Sequence, residues 1–363
     1  MKKLSLVTLA ALAACAGAHA QSSVQVYGVV DQAVEHLSHA PTGNLTRLPG
    51  LTGSVPSRLG FRGTEDLGGG LKALFTLEMG FGVDNGSFNQ GGRAFGRQSW
   101  VGLGGDWGTV SFGRNYSMLF WSQLDADILG PNMFGSASLD NYLPNARVDN
   151  SIAYRGTFNG FTVGATWSLG RDTVNAGPSP AGTNCAGESA TDHNACRQWS
   201  AMVKYDTTNW GVAAAVDELR GGPGAFAGLT SSSMRDRRST VDGWAKFGAL
   251  KVGAGLIRRD NDASAATPRS DLWYLGAAYP VTPQITVDGE VFKLKFRNSA
   301  NGATLWALRG TYAFSKRTAV YATVGQIDNN GTLNLSVSNA AAGGNPPAGG
   351  SQTGLGVGIR HTF

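Results

Sequence analysis

The sequence predicts an all-β chain, a closed 16-stranded antiparallel transmembrane barrel, and three observations carry that expectation. Only 15% of the 363 residues are charged while 42% are hydrophobic, against about 25% charged in ordinary soluble domains. No apolar run of roughly 18 residues follows the N-terminus, which removes membrane helices. A period of two recurs along the chain, broken alternately by tight Gly-rich turns and long loops, as strands with one face to lipid and one to a lumen require. A large soluble all-β protein is the alternative.

Residues 1–20 have the layout of a secretory leader: Lys2 and Lys3, an apolar stretch from Leu4 to Ala14, then Ala18-His19-Ala20 as cleavage site. The barrel is then expected over 21–363. Leu12-Ala13-Ala14-Cys15 also resembles a lipoprotein processing box, in which Cys15 would become an acylated N-terminus. Without Lys2 and Lys3, 28 basic residues remain against 25 acidic ones. The resulting net charge of +3 gives no argument for nucleic acid as a partner.

The first strand alternates Val24, Val26, Gly28, Val30 and Gln32 against Gln25, Tyr27, Val29 and Asp31. A Pro-, Gly- and Thr-rich loop precedes the second, 57–65, which sets Leu59, Phe61 and Gly63 opposite Arg58, Gly60, Arg62 and Thr64. After a tight turn, Leu71, Ala73, Phe75, Leu77 and Met79 point outward, with Lys72, Thr76 and Glu78 inward. Further strands are expected at 93–103, 109–114, 150–156, 161–169, 199–205, 211–218, 239–247, 251–259, 270–279, 284–296, 303–314, 318–327 and 354–363. That makes sixteen, an even number with short turns on one side. In 284–296, Ile285 and Val287 oppose Phe292, Leu294 and Phe296 in phase, so a bulge is expected near Glu290. Aromatics gather at strand ends (Trp107, Phe161, Trp210, Tyr312, Phe314), where interfacial girdles belong.

The segment 115–148 is the longest without strand pattern, and its aromatic and aliphatic content is too high for a solvated linker. It carries Asp125, Asp127 and Asp140, and in a barrel it can pack on the inner wall. Once Cys15 leaves with the leader, Cys185 and Cys196 form an even pair in a Gly/Pro/Ser/Asn-rich loop, suited to a disulfide in an oxidising compartment. His193 between them raises a metal site, but Cys, His and Cys lack a convincing fourth ligand. No metal is expected.

With these residues in view, the chain resembles the general diffusion porins of Gram-negative outer membranes, in particular their β-proteobacterial branch. The likeness spans the whole chain and rests on 22–31 (SSVQVYGVVD), 57–68 (SRLGFRGTEDLG), 97–103 (RQSWVGL), 150–155 (NSIAYR) and the terminal Phe363. It implies a sixteen-stranded barrel, a homotrimer, a third extracellular loop folded into the lumen, and passive diffusion of small hydrophilic solutes. Phe363 matches the family's signal to the outer-membrane assembly machinery; outer-membrane lipid and lipopolysaccharide are the implied surroundings. By motif, Arg58, Arg97 and Arg155 correspond to an arginine ladder and Glu78 to an acidic wall position. Arg62 alternates onto the same face as Arg58, whereas the face of Arg97 also carries Val101 and Leu103. Arg62, Arg309 and Arg360 read either as lumenal charges of the pore or as solvated wall charges. With Asp125 and Asp127 opposing the arginines, weak selectivity for small anions is expected. The loop departs from the family at Gly130-Pro131-Asn132-Met133-Phe134-Gly135, where many relatives carry a carboxylate.

No HExxH, GxSxG, GxxxxGK[ST] or complete GxGxxG occurs, so neither an enzyme nor a cofactor is expected. His36 and His39 cannot share a face by alternation. An outer-membrane hydrolase is the reading from another class, and a surface adhesin or phage receptor using the loops is compatible with a channel.

Overall fold

The computed structural model describes residues 23–170, 185, 187–222, 225 and 228–363. The expected leader, 1–20, and Cys15 lie outside the described residues. Among those described, seventeen strands form one sheet. The first half of the chain contributes β1 (Ser23–Ala40), β2 (Gly43–Arg47), β3 (Arg58–Gly68), β4 (Leu71–Gly80), β5 (Gln98–Gly105), β6 (Gly108–Tyr116), β7 (Arg147–Phe158) and β8 (Phe161–Ser168). Then follow β9 (Gln198–Asp206), β10 (Trp210–Arg220), β11 (Arg235–Phe247), β12 (Leu250–Asn261) and β13 (Arg269–Pro280). The last four are β14 (Ile285–Phe296), β15 (Gly302–Ala313), β16 (Thr318–Asn330) and β17 (Ser351–Thr362). Every strand from β3 to β17 pairs antiparallel with its sequence neighbour, and β1 joins β3 on one side and β17 on the other. Sixteen strands therefore close a barrel. β2 is additional, pairing with the outer part of β1 from Glu35 to Ala40.

Closure is sealed where the chain ends. Gly28 and Phe363 exchange both backbone hydrogen bonds at 3.1 Å. The Phe363 ring lies over Gly28, where a Cβ would collide with it. Alternation separates the two faces as expected: Val24 on the outside is 67% exposed, whereas Asp31 and Glu78 are buried inside. Phe161, Tyr205 and Trp210 touch in series at 4.5 and 5.5 Å between ring centroids, and Tyr312 meets Phe314 at 5.1 Å, all at the short-turn end.

Several boundaries differ from the expected ones. β1 runs to Ala40, β7 begins at Arg147 and β11 at Arg235, because pairing continues past the lipid zone into the loops, whereas β5 begins only at Gln98 rather than 93, residues 93–97 belonging to the loop before it. The bulge near Glu290 is absent: β14 keeps one register with both neighbours from Ile285 to Phe296. Its apolar residues change face for another reason. Phe292, 0% exposed, and Leu294 point into the lumen and join the apolar cluster built with the inward loop. Where a loop covers the wall, the inner face is apolar too. Cys185 and Cys196 form a disulfide with Cα atoms 5.3 Å apart, so neither sulfur is free for a metal.

Candidate functional site: a constriction inside the barrel

The chain between β6 and β7 enters the lumen as a loop whose neck is closed by Ser117 N–H donating to Ala146 O at 2.8 Å. Its first turn, a helix at Met118–Gln123, lies against β9 and β10, and the Met118 N–H donates to Ser200 Oγ at 2.9 Å. The loop then follows the wall. Asp125 pairs with Lys204 of β9, and Leu129 N–H donates to Glu290 Oε2 of β14 at 2.8 Å. On the return, Asp140 receives two bonds from Arg238 of β11, at 2.7 and 3.0 Å, and Tyr142 O–H lies 3.2 Å from Asp217 of β10. Burial would raise the Asp140 carboxyl, but the Arg238 and Arg259 guanidiniums hold it below the ordinary carboxylate range.

Glycines on the inner wall make room for this path. Met118 lies at Gly164, the Ala126 backbone at Gly253, Ile128 at Gly276, and the loop tip at Gly325 and Gly354. Those last two are cross-strand partners. Phe134 fills the notch between them: a Cβ at Gly354 would sit 2.6 Å from its Cζ. Its φ of 55° costs roughly 1–2 kcal/mol for a bulky residue, less than the about 1.5–3 kcal/mol gained by burying the ring. The tip is thus pinned by an aromatic knob. Met133 N–H also donates to Gly53 O at 3.2 Å.

Two further loops meet it. In the first, Ser54 Oγ and Val55 N–H donate to Asp31 of β1 at 2.5 and 3.0 Å, as does Tyr321 O–H at 2.5 Å. In the last loop, 331–350, Val337 O accepts from Ser138 Oγ at 2.8 Å, and Ser338 Oγ donates to Glu35 at 2.6 Å.

A cavity of about 440 Å³ remains between the inward loop and the wall. Arg58, Arg97, Arg147, Arg309 and Arg360 line it with Glu78 and Asp127. Glu78 accepts from Arg97 Nε at 2.7 Å and Tyr27 O–H at 3.0 Å, with Arg58 Nε at 3.7 Å. Arg97 and Arg147 both donate to Tyr116 Oη, at 2.9 and 2.8 Å, and the Tyr116 ring stacks on Phe120 at 3.9 Å. Arg309 binds Asp288 through two bonds of 3.0 and 2.5 Å, and Arg360 reaches Ser54 Oγ at 3.1 Å. Asp127 accepts from Ser136 Oγ at 2.6 Å and Gly130 N–H at 2.8 Å, and burial raises its carboxyl above the usual range.

Of the residues expected at the site, Arg58, Arg97, Glu78 and Asp127 therefore border one space. Arg62 and Arg155 do not. They line a separate recess of about 340 Å³ toward the short turns, with Arg155 3.9 Å above the Trp121 ring and Arg62 bonded to Gln25 at 2.8 Å. Asp125 is held away by Lys204. Sequence reading passed over Arg147, and left Arg309 and Arg360 open between pore residues and plain wall charges. For Arg360 the signal was present, since it alternates against Val357 and Ile359; Arg147, at a loop neck, has no such signal.

A closed barrel with a narrowed, polar passage through it is a channel across a membrane, and the comparisons with known proteins agree. The Gram-negative porin family model matches residues 8–332. Outer membrane porin protein 32 of Delftia acidovorans is 31% identical over the whole of both chains, and an outer membrane porin protein of Bordetella pertussis 28%. Among solved structures, the anion-selective porin from Comamonas acidovorans superposes with a TM-score of 0.71 at 26% identity, covering 94% of this chain and all of that one. A trimer form of OmpT from Vibrio cholerae, at 17% identity and a TM-score of 0.66, shares the fold. The chain belongs to the Gram-negative porins: it is a passive channel of the outer membrane and not an enzyme.

Two outcomes test the pinning of the loop. Phe134→Ala should leave a void at the glycine notch and destabilise the tip by about 3–5 kcal/mol; single-channel records should then show higher conductance and more open-state noise than wild type. For Asp140, the folded carboxyl ionises below its unfolded counterpart. Its contact contributes in full above about pH 3.9 and is lost as pH falls through the folded value. Asp140→Asn should cost roughly 2 kcal/mol. Its conductance should differ from wild type between pH 5 and 8, and the difference should vanish on acidification.

Proposed function

We propose that the pore is weakly anion-selective and passes small anions and other hydrophilic solutes. One observation carries this reading: five guanidiniums border the passage, and the carboxylates there do not match them. Glu78 is shared by Arg58 and Arg97, and Asp288 faces Arg309. Among the described residues, neither Arg147 nor Arg360 forms an ion pair within 4 Å, although Arg360 stands opposite Asp31 across β1 and β17. Arginines around a narrow pore lower the barrier for anions, and their field is strongest where screening water is scarce. Glu78 keeps the preference modest. The anion-selective porin from Comamonas acidovorans supports the same sign.

A salt gradient across a planar bilayer should give a reversal potential of anionic sign. The potential should shrink in Arg58→Ser and Arg360→Ser, and fade near 1 M salt as the Debye length falls to about 3 Å. A cation-selective wild type, or a preference untouched by both changes, would overturn the assignment.

We also infer a homotrimer, in keeping with the family, inserted through recognition of Phe363 by the assembly machinery and surrounded by outer-membrane lipid and lipopolysaccharide. Unheated detergent gels should then run near three chains and collapse to one on boiling; a monomer under every mild condition would count against assembly.

A further inference from the structure

Arginines that leave water in this protein take a carboxylate with them, with one exception. Among the described residues four arginine side chains are buried, those of Arg97, Arg114, Arg147 and Arg238. Arg97 meets Glu78 at 2.7 Å, Arg114 meets Asp149 at 2.7 Å, and Arg238 meets Asp140 at 2.7 Å and Asp236 at 3.0 Å. Arg147, at the start of β7 where the inward loop rejoins the wall, is 2% exposed and forms no ion pair among those residues. The charged side chains that act on it most strongly, Arg97 and Arg114, carry its own sign.

Its donors are left over as well. Arg147 gives Nη2 to Tyr116 Oη at 2.8 Å and lays its guanidinium 4.5 Å from the centre of the Tyr116 ring. Nε and Nη1 are buried without an acceptor. A buried donor with nothing to bind is costly, and a buried charge without a counter-charge more so. The phenol oxygen supplies one bond and no charge.

A small cavity adjoins the loop neck beside the main passage. It has a volume of about 40 Å³ and is bordered by Arg97, Arg147, Thr52, Gln90, Pro131 and Pro144, and no carboxylate lines it. Arg97 uses Nε on Glu78 and Nη2 on Tyr116, which leaves Nη1. The Gln90 side-chain oxygen is buried without a donor; with its amide turned over, Nε2 becomes a donor there. One water needs roughly 10–15 Å³, so the space accepts a monatomic anion and excludes an organic acid.

We propose that this cavity is a binding site for a single halide ion, chloride in the native protein, held by the Arg147 guanidinium and Arg97 Nη1. The ion gives Arg147 the counter-charge that the chain does not, through charge-assisted hydrogen bonds, and ties the loop neck to the segment 51–56. Proline on two sides keeps the contact dry, where attraction between opposite charges is strongest. A water would accept from the donors and leave the charge unpaired. The site stands beside the passage and does not rest on the selectivity of the pore.

The test uses the intact porin. Crystals grown with sodium bromide should show an anomalous peak in contact with Arg147 at the loop neck. In detergent, replacing gluconate, too large for the cavity, by chloride at a constant ionic strength of about 0.15 M should raise the unfolding temperature by about 2–4 °C. Arg147→Met should lose both the rise and the peak, and Lys293→Gln, on the exposed outer face, should keep both. Should Arg147→Met fail to fold, Arg147→Lys is read in its place: it keeps the charge without the planar fork, and its bromide peak should weaken several-fold. Bromide absent from the neck, or found only against Arg58 or Arg360 in the passage, would overturn the proposal. So would equal unfolding temperatures in chloride and gluconate, or a chloride response in the Arg147 variant as large as that of wild type.

Discussion

Backbone pairing in a medium without water is the constraint on which the rest of the structure depends. Each unsatisfied N–H or C=O in hydrocarbon costs several kcal/mol, so the strands close on themselves through β1 and β17. A sixteen-stranded barrel is too wide for its own side chains to fill, which leaves space that loops can enter. A loop brings its own backbone groups, and the inner wall supplies partners for them: Ser200 for Met118, Glu290 for Leu129, Asp31 for Val55. Glycine on facing strands sets how close the loop can lie. Wall polarity and wall glycine are therefore two halves of one docking surface.

Much of this was legible in the sequence, for a physical reason. Lipid demands alternation, so Val24 and Val26 or Leu355 and Val357 reveal their face without further context, and the short turns mark one rim. Alternation misled where its premise failed. It assumes a wet lumen, and β14 faces a loop, so the inward Phe292 and Leu294 looked like a change of phase. Arg238 fell outside the expected strand because pairing of β11 with β10 and β12 continues beyond the lipid zone. Arg97 lies just before β5, where alternation with Val101 no longer governs its direction. The partners of individual charges were not legible at all, since Asp125 meets Lys204 across 79 positions of sequence.

Those partners decide the sign of the pore. Read along the sequence, Asp125 and Asp127 of the loop stand against the arginines and ought to cancel part of their field. In the folded chain only Asp127 borders the passage, and Asp125 is used elsewhere. Asp125 anchors the loop to β9, Asp140 anchors it to β11, and Asp127 turns to the loop's own Ser136 and Gly130 while burial favours its neutral form. Anchoring thus removes acidity from the passage that the loop itself narrows. The arginines of the wall line that passage. The same contacts that hold the loop in place leave the constriction basic, so its geometry and its electrostatics are not independent properties.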